Sequence, residues 1–313
     1  MKHLTISLIL LAIFATQKTF SQPPATIPPA EVINPYIPTE MTFAGRKISL
    51  SRADLHERLD RELITFTYGH TTTLMMLKRA NRYFPVIEPI LKECGVPDDL
   101  KYLMIIESSG DIWALSPAKA AGLWQFMPTT AKEYGLEVNN NVDERYHVEK
   151  ATRAACDYLK EAYEKYGDWL TVAASYNAGQ HRISDELGKQ QADNALDLWL
   201  NRETARYMFR ILAAKQIFSN PKAYGFILRS RDLYPVLPTQ PLKITSTITN
   251  LGAFARKHGI PMSLLKEANP WLRSNTLPVR PGGKTYTILI PVMEKWTYDP
   301  NSTIPHNHGW VIN

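Results

Sequence analysis

Glu107 stands at the end of a short segment with strong helix signals. Pro97 and the acidic pair Asp98 and Asp99 suit a helical first turn, because proline fits there and carboxylates favour the positive end of a helix. Apolar residues then recur along the segment, namely Leu100, Leu103, Met104 and Ile106. We expect this helix to carry Glu107 and to stop at the Ser-Ser-Gly sequence of residues 108–110.

The carboxyl group of Glu107 would then have an apolar surface behind it. Desolvation disfavours the ionised form, so the pKa of this carboxyl is expected to be raised. An acid that stays protonated near neutral pH can donate a proton to a leaving group. The alternative is a helix-terminal glutamate that points into water. The helix signals by themselves favour this alternative. The motifs that follow Glu107 favour a catalytic acid instead.

Asp111 is the nearest candidate for a second carboxyl group. Glycosidases ordinarily use two carboxyl groups, one to protonate the leaving oxygen and the other to activate water or attack the sugar. Asp111 would face Glu107 at i+4 only if the helix continued, and residues 108–110 favour a break. Asp98 and Asp99 lie two turns or more behind Glu107. The sequence therefore indicates chemistry with one acid.

Three further motifs follow Glu107 in order. The stretch ESSGDIWALSPAKAAGLWQFMPTTA covers residues 107–131, ASYNAG covers residues 174–179, and RETARYMFRILA covers residues 202–213. In order and spacing they resemble the lysozyme-like soluble lytic transglycosylase domain. The flanking segments, residues 57–63 and 77–97, most resemble the membrane-bound lytic transglycosylase D type. The resemblance extends over about residues 53–228, more than half of the chain.

The resemblance implies a peptidoglycan lytic transglycosylase. In that family role, Glu107 protonates the β-1,4 glycosidic oxygen between N-acetylmuramic acid and N-acetylglucosamine, and the substrate's acetamido group assists. The ionised carboxylate then removes the C6 hydroxyl proton, so that the product carries a 1,6-anhydromuramyl end. Two alternatives remain open: a goose-type muramidase that adds water, and a peptidoglycan-binding protein that does not cleave.

The same resemblance implies a set of substrate-binding residues around Glu107. Ser116 and Gln125 would hydrogen-bond acetamido or hydroxyl groups, and Tyr176 would orient Glu107 or the sugar. The other members of the set are Ser108 and the groove-lining residues Met127, Asn177 and Tyr207. Each also has a structural interpretation: Ser108 would brace the helix end, Met127 would fill the core, and Tyr207 would pack between helices.

The amino-terminal residues indicate export. Residues 1–21 read as a signal peptide, with a basic residue before an apolar run that is too short to span a bilayer comfortably. An uncleaved anchor is the alternative. Residues 22–45 are rich in proline and are expected to form an extended linker. We therefore expect an exported, periplasmic protein of the cell envelope, with no stable membrane span once the signal peptide is removed.

The rest of the chain divides into two predicted domains and a tail. Residues 46–232 should form the lysozyme-like domain with a helical extension at its start, because helical periodicity dominates and no convincing strand appears before residue 240. Within it, the helix of residues 74–91 is expected to break at Pro85. Residues 242–292 resemble a LysM module in their strand, helix, helix, strand order. Residues 293–313 read as a mobile tail. The predicted fold class is mainly α, followed by a small α+β (βααβ) domain.

The LysM resemblance implies binding of glycans that contain N-acetylglucosamine. Residues 248–249 depart from the LysM pattern, since Ile-Thr replaces the usual Gly-Asp before the first helix. The resemblance therefore implies the fold and leaves glycan binding open.

Other classes of site find little support in the sequence. The histidines form no ligand cluster, so we expect no metal and no cofactor. The formal charge falls from +6 to +4 when Lys2 and Lys18 leave with the signal peptide, which suits a polyanionic cell wall. Basic residues are scattered and do not predict nucleic-acid binding. The expected partner is therefore the peptidoglycan glycan strand, and protein partners are not identified.

Whether Cys94 and Cys156 pair as a disulfide stays open.

Overall fold

The chain enters its fold through a hairpin. In the computed structural model, which describes residues 32–312, strand β1 (Glu40–Phe43) pairs antiparallel with β2 (Arg46–Ser49). Ala44 and Gly45 make the turn with positive φ, as a two-residue hairpin turn requires. Phe43 is buried in the core, and the Ala44 amide donates to the Asp99 carboxylate at 2.7 Å. The predicted linker is therefore too long, because residues 40–45 belong to the folded body; residues 1–31, including the predicted signal peptide, lie outside the described chain.

From Pro35 onward the described chain forms one unit, whose first part is helical. The eight helices of this body are α1 (Ala53–Tyr68), α2 (His70–Cys94), α3 (Lys101–Ser108), α4 (Pro128–Glu133), α5 (Val148–Tyr166), α6 (Trp169–Ala178), α7 (Gln180–Gln190) and α8 (Arg202–Ser219). Helix α3 lies in the centre and packs against α2 and α8. All of its residues except Glu107 are buried, so the mainly helical prediction is confirmed around a central apolar helix.

Helix α2 contradicts the predicted break at Pro85. It runs without interruption through Pro85 and Pro89, which are one helical turn apart. Neither proline is buried, so the backbone bonds that they remove lie toward the outer face of the helix. The inner face stays apolar on both sides of Pro85, with Leu77, Phe84 and Leu91 fully buried. Packing of that face outweighs the loss of two backbone bonds.

The carboxyl-terminal residues form a second, smaller module. Its elements are β3 (Thr239–Ile244), α9 (Leu251–Lys257), α10 (Met262–Ala268) and β4 (Tyr286–Pro291), which confirms the predicted strand, helix, helix, strand order. Strand β3 pairs antiparallel with β4, and Leu242 lies opposite Ile288. This sheet and the two helices enclose a core of their own. The first strand begins at Thr239, three residues before the predicted start of the module at residue 242, and ends at Ile244.

The last residues fold back onto the helical body. Trp310 is buried among aromatic residues, and its indole nitrogen donates to the Phe218 carbonyl at 2.7 Å. The His306 ring lies 2.9 Å from a Glu88 carboxylate oxygen and contacts the Phe84 ring edge-on. The prediction of a mobile tail is therefore wrong for residues 302–312. One aromatic side chain supplies enough apolar surface to fix a segment with no regular strand or long helix.

The two cysteines come together between α2 and α5. Both are free thiols, and Cys156 is buried. Burial and the neighbouring Cys94 thiol raise the pKa of Cys156 well above its ordinary value. Cys94 and Cys156 are therefore neighbouring free thiols, and no disulfide joins them.

The long loop between α3 and α4 is held by Arg145. Its guanidinium donates to the carbonyls of Lys119 at 2.7 Å and Phe126 at 3.0 Å, and it pairs with Asp143. Gly122 faces the backbone of the same residue, because a Cβ added there would lie 2.0 Å from the Arg145 carbonyl oxygen. Gly122 also has φ of +76°, a region that glycine tolerates best.

We therefore expect Gly122→Ala to destabilise the protein by at least about 3 kcal/mol, since it combines a backbone clash with left-handed strain. Urea unfolding at neutral pH measures the loss. Gly135→Ala is the matched control, because Gly135 has φ of +79° but no atom near its added Cβ. The control should lose only about 1 kcal/mol. Equal losses in the two variants would contradict the clash.

Candidate active site

Glu107 occupies the last turn of α3, as the sequence predicts. The helix ends because Ser109 and Gly110 adopt positive φ values of 55° and 67°, and the Ser109 amide closes the turn on the Ile105 carbonyl. The chain therefore leaves the helix one residue after Glu107. Its carboxyl group remains partly buried between the end of α3 and the facing helix α8.

Burial raises the pKa of the Glu107 carboxyl from 4.5 to about 7. The Tyr207 hydroxyl donates to Glu107 Oε1 at 2.5 Å, and this bond opposes the rise because it stabilises the carboxylate. The positive charge of Arg210 also lowers the pKa, and the negative charge of Glu203 raises it. The group is therefore divided between its protonated and ionised forms near neutral pH.

Helix α8 supplies all three residues that tune this acid. Glu203, Tyr207 and Arg210 recur at i, i+4 and i+7, so they share the helix face directed at Glu107. The adjacent Arg206 donates two hydrogen bonds, at 2.8 and 2.9 Å, to the buried carboxylate of Glu62 on α1. This ion pair fixes the rotation of α8. Arg210, Arg206 and Glu62 were not predicted from the sequence. The charged residues Glu203, Arg206 and Arg210 at i, i+3 and i+7 were the signal that could have found Arg210.

Tyr176 comes from the end of α6 and lies within electrostatic reach of Glu107. Burial and the Glu107 charge raise the pKa of the Tyr176 hydroxyl well above its ordinary value. That hydroxyl donates to the Trp124 carbonyl at 2.7 Å, and the Tyr176 ring contacts the Phe126 ring edge-on. Tyr176 therefore joins Glu107 to the loop between α3 and α4, and no direct hydrogen bond to Glu107 is present.

Gln125 adopts a positive φ of 49° in the same loop. Its side-chain amide donates to the carbonyls of Gly122 at 2.8 Å and Ala114 at 3.1 Å. Both hydrogens of the Gln125 side-chain amide thus stabilise the loop. The side-chain oxygen of Gln125 is the atom that could accept a hydrogen bond from a ligand. Trp124 is fully buried and donates to the Thr152 hydroxyl at 3.0 Å, which anchors the loop to α5.

The remaining predicted residues lie in different surroundings. Ser108 is buried and its hydroxyl donates back to the Met104 carbonyl, so it braces the helix end. The Ser116 hydroxyl accepts from the Ala120 amide and closes a short turn. Met127 is 41% exposed, which excludes the core-filling alternative. Asn177 is partly exposed on the last turn of α6.

Asp111 does not join Glu107. It forms an ion pair with Arg79 at 2.8 Å and accepts a hydrogen bond from the Trp113 amide, so it anchors the start of the loop. This position agrees with the expectation that the helix does not continue through residues 108–110. The chemistry available at the site is therefore that of one partly buried acid with a phenol donor.

Two family models match this chain. The first is the Transglycosylase SLT domain, over residues 85–198. The chain carries an SLT domain. The matched range contains Glu107, Gln125 and Tyr176, and it ends before helix α8. The second match, over residues 240–294, is the soluble lytic transglycosylase C-terminal LysM-like domain. It coincides with the small module formed by β3, α9, α10 and β4.

A curated relative and two solved structures resemble the chain. The membrane-bound lytic murein transglycosylase D of Escherichia coli is 32% identical over 242 residues, which cover 76% of this chain and 51% of the relative. The chain thus spans about half the length of that relative. A structure of an inactive variant of the Pseudomonas aeruginosa lytic transglycosylase Slt matches with a TM-score of 0.38 at 22% identity, covering 44% of this chain and 24% of the other. The 70 kDa soluble lytic transglycosylase of Escherichia coli matches with the same TM-score and identity, covering 45% and 25%.

The raised pKa of Glu107 has a consequence for stability. A group whose pKa is higher in the folded state stabilises that state most below its unfolded pKa, and the stabilisation is lost as pH rises through the folded value. Glu107→Gln removes the cost of holding an ionised carboxylate in the SLT domain. We expect this variant to be more stable than the wild type at pH 8, by about 1–3 kcal/mol, and equally stable near pH 4.

Thermal and urea unfolding at both pH values measure the difference. Glu93→Gln is the control, because Glu93 is largely exposed and pairs with Arg153 at the surface. A Glu107→Gln variant that is no more stable than the wild type at pH 8 would contradict the burial of an ionisable acid.

Proposed function

We propose that this chain is a peptidoglycan lytic transglycosylase that uses Glu107 first as general acid and then as general base. It cleaves the β-1,4 bond between N-acetylmuramic acid and N-acetylglucosamine and leaves 1,6-anhydromuramyl ends. The observation that carries the proposal is the position of Glu107: a half-buried acid with a pKa of about 7, bonded to Tyr207, in a chain that carries an SLT domain.

The first step requires the protonated acid. Near neutral pH a substantial fraction of Glu107 holds its proton, because burial disfavours the charge. The acid donates that proton to the glycosidic oxygen, and the bond from this oxygen to the muramyl anomeric carbon breaks. The substrate's acetamido group assists at that carbon. Glu107 is left as a carboxylate, and the Tyr207 hydroxyl stabilises this charge.

The second step uses the carboxylate that the first step produced. Glu107 removes the proton of the muramyl C6 hydroxyl, whose oxygen attacks the anomeric carbon and closes the anhydro ring. The proton lost in the first step is thereby regained, and no water is consumed. A pKa near 7 suits both steps, since general acid and base catalysis is most efficient when the pKa lies near the working pH.

A second carboxylate would be needed for the ordinary hydrolytic mechanism. Glu203 is the acidic residue whose charge acts on Glu107, and it is exposed in the first turn of α8. Asp111 is engaged by Arg79. These positions favour the single-acid mechanism over a goose-type muramidase. A protein that binds glycan without cleaving it has no need for a half-buried acid tuned by a phenol.

The proposal includes action in the cell envelope. Residues 1–21 are predicted to be a signal peptide, and the curated relative is named as membrane-bound and as acting on murein. Within residues 32–312, no helix has both the length and the apolar character needed to cross a bilayer. Export would bring the SLT domain to peptidoglycan.

Glu107→Gln tests the catalyst. We expect it to lower the rate of release of anhydromuramyl ends from purified peptidoglycan by roughly 100-fold to 10,000-fold, since general acid and base catalysis contributes that much. Mass spectrometry of the released muropeptides measures the rate, and Glu93→Gln is the surface control. Wild-type products heavier by one water would show hydrolysis instead. Unchanged turnover in Glu107→Gln would exclude this residue as the catalyst.

Tyr207→Phe tests whether the Tyr207 hydroxyl sets the pKa of Glu107. The phenol lowers the pKa of Glu107, so its removal should move the basic limb of the kcat/KM profile to higher pH and lower the rate at the optimum. Glu203→Gln removes a charge that raises the same pKa, so it should move the limb to lower pH. Tyr134→Phe is the control, because Tyr134 donates to Glu161 at an exposed site. Shifts in the same direction for Tyr207→Phe and Glu203→Gln would contradict the assignment.

A further inference from the structure

The LysM-like module is locked to the SLT domain next to the loop that follows Glu107. The Asp143 amide donates to the Trp271 carbonyl at 2.9 Å, and the Arg273 amide donates to the Asn141 carbonyl at 2.8 Å. Asn141 also donates to the Ser274 hydroxyl at 2.7 Å. These bonds fix residues 271–274 of the module against residues 141–143 of the SLT domain.

Arg273 extends from that junction over two aromatic rings of the SLT domain. The centre of its guanidinium lies 4.4 Å from the centroid of the Tyr146 ring and 5.9 Å from that of the Trp113 ring. The two rings lie 6.2 Å apart, with an angle of 41° between their planes. Stacking of this kind restricts the guanidinium while leaving its N–H edge free for a ligand.

The positive charge of Arg273 has no carboxylate partner among residues 32–312. Its side chain donates to the Pro270 carbonyl at 3.3 Å, and it forms no ion pair. Asp143, whose charge also acts on Tyr146, is occupied by Arg145 at 2.7 Å. The neighbouring cation Lys266 donates to the carbonyls of Leu272 and Ser274. The junction therefore presents unneutralised positive charge.

Trp113 places an apolar surface beside this charge. Trp113 is 41% exposed, although its backbone amide is fixed by a hydrogen bond to Asp111. The Trp113 amide is held by Asp111, and the next residue, Ala114, offers the carbonyl that Gln125 binds. Trp113 thus lies on the same ordered loop as Gln125. An exposed indole face is well suited to stack on the face of a sugar ring.

We propose that Trp113 and Arg273 form a saccharide subsite shared between the SLT domain and the LysM-like module, in which the indole takes a sugar ring and the guanidinium takes a carboxylate of its peptide substituent. The subsite rests on the proposed function, because it assigns the anionic stem peptides of peptidoglycan to a surface on the loop that follows Glu107. The module would then determine specificity from its fixed position against the SLT domain. The enzyme would prefer glycan strands that still carry their peptides.

The test compares strands that differ only in their peptides. One substrate is soluble glycan strands with stem peptides, and the other is the same strands after an amidase has removed them. The variant Arg273→Met keeps side-chain contact with the two rings and removes the charge. Arg256→Met is the matched control, since Arg256 is an exposed cation of the same module without aromatic contact. The readout is kcat/KM for release of anhydromuramyl ends.

We expect Arg273→Met to lower the ratio of kcat/KM for peptide-bearing over stripped strands by roughly threefold to tenfold, the loss of one charge-assisted contact. The change should appear mainly in KM, and Arg273→Lys should restore part of it. Trp113→Ala should lower kcat/KM on both substrates, because both contain the sugar. An unchanged ratio in Arg273→Met, whether from no loss at all or from equal losses on both substrates, would overturn the subsite.

Binding separates this proposal from the catalytic one. In the Glu107→Gln background, calorimetric titration with peptide-bearing strands should show weaker binding when Arg273→Met is added, and Arg256→Met should leave the affinity as it was. Unaltered affinity in the Arg273→Met protein would overturn the subsite even if cleavage follows the proposed chemistry. Weakened affinity without any release of anhydromuramyl ends by the wild type would uphold the subsite and refute the proposed reaction.

Discussion

The rest of the structure depends on the burial of one carboxyl group between α3 and α8. Water stabilises a carboxylate far better than a protein interior does, so the fold must hold Glu107 where desolvation can act on it. Helix α3 meets this requirement because it is short, apolar and surrounded, and Ser109 ends it immediately after the acid. Helix α8 meets it from the opposite side, fixed in rotation by the ion pair between Arg206 and the buried Glu62.

The pKa of Glu107 results from burial together with opposing effects of three residues of helix α8. Burial is the largest and raises the pKa, and Glu203 raises it further. Tyr207 and Arg210 lower it. With burial and Glu203 alone, Glu107 would stay protonated at neutral pH. With stronger hydrogen-bond donors it would stay ionised. The intermediate outcome is what a group needs when it must give up a proton and then take one back.

Local signals in the sequence predicted much of the fold and the centre of the site. The end of α3 and each element of the small module follow from patterns within about twenty residues. The path of α2 through Pro85 did not follow, because it depends on which face of the helix is buried. The folded tail and the hairpin depend on single aromatic residues, Trp310 and Phe43, whose partners are distant in the chain.

Distant partners also explain which parts of the site were missed. The sequence places Gln125 and Ser108 near Glu107 but does not reveal that their hydrogens are already bonded to backbone carbonyls. Arg145 holds the loop from a position about twenty residues beyond it, and nothing in the local pattern marks it as a clamp. A long-range polar contact leaves no periodic signal, and the identity of the partners emerges only from the fold.

The two predicted domains differ in sequence pattern, but their residues pack into a shared core. Ala121, Val142 and Tyr146 come from the SLT domain, yet they are buried in the core of the LysM-like module. The buried carboxylate of Glu144 is paired with Lys150 of its own domain and with Lys284 of the module, and these bonds lower its pKa against the effect of burial. Separation at residues 232–242 would expose that apolar surface and leave a buried charge with one partner fewer. The module therefore supports the loop between α3 and α4, which carries Trp113, Gln125 and Phe126 and follows Glu107 in the chain.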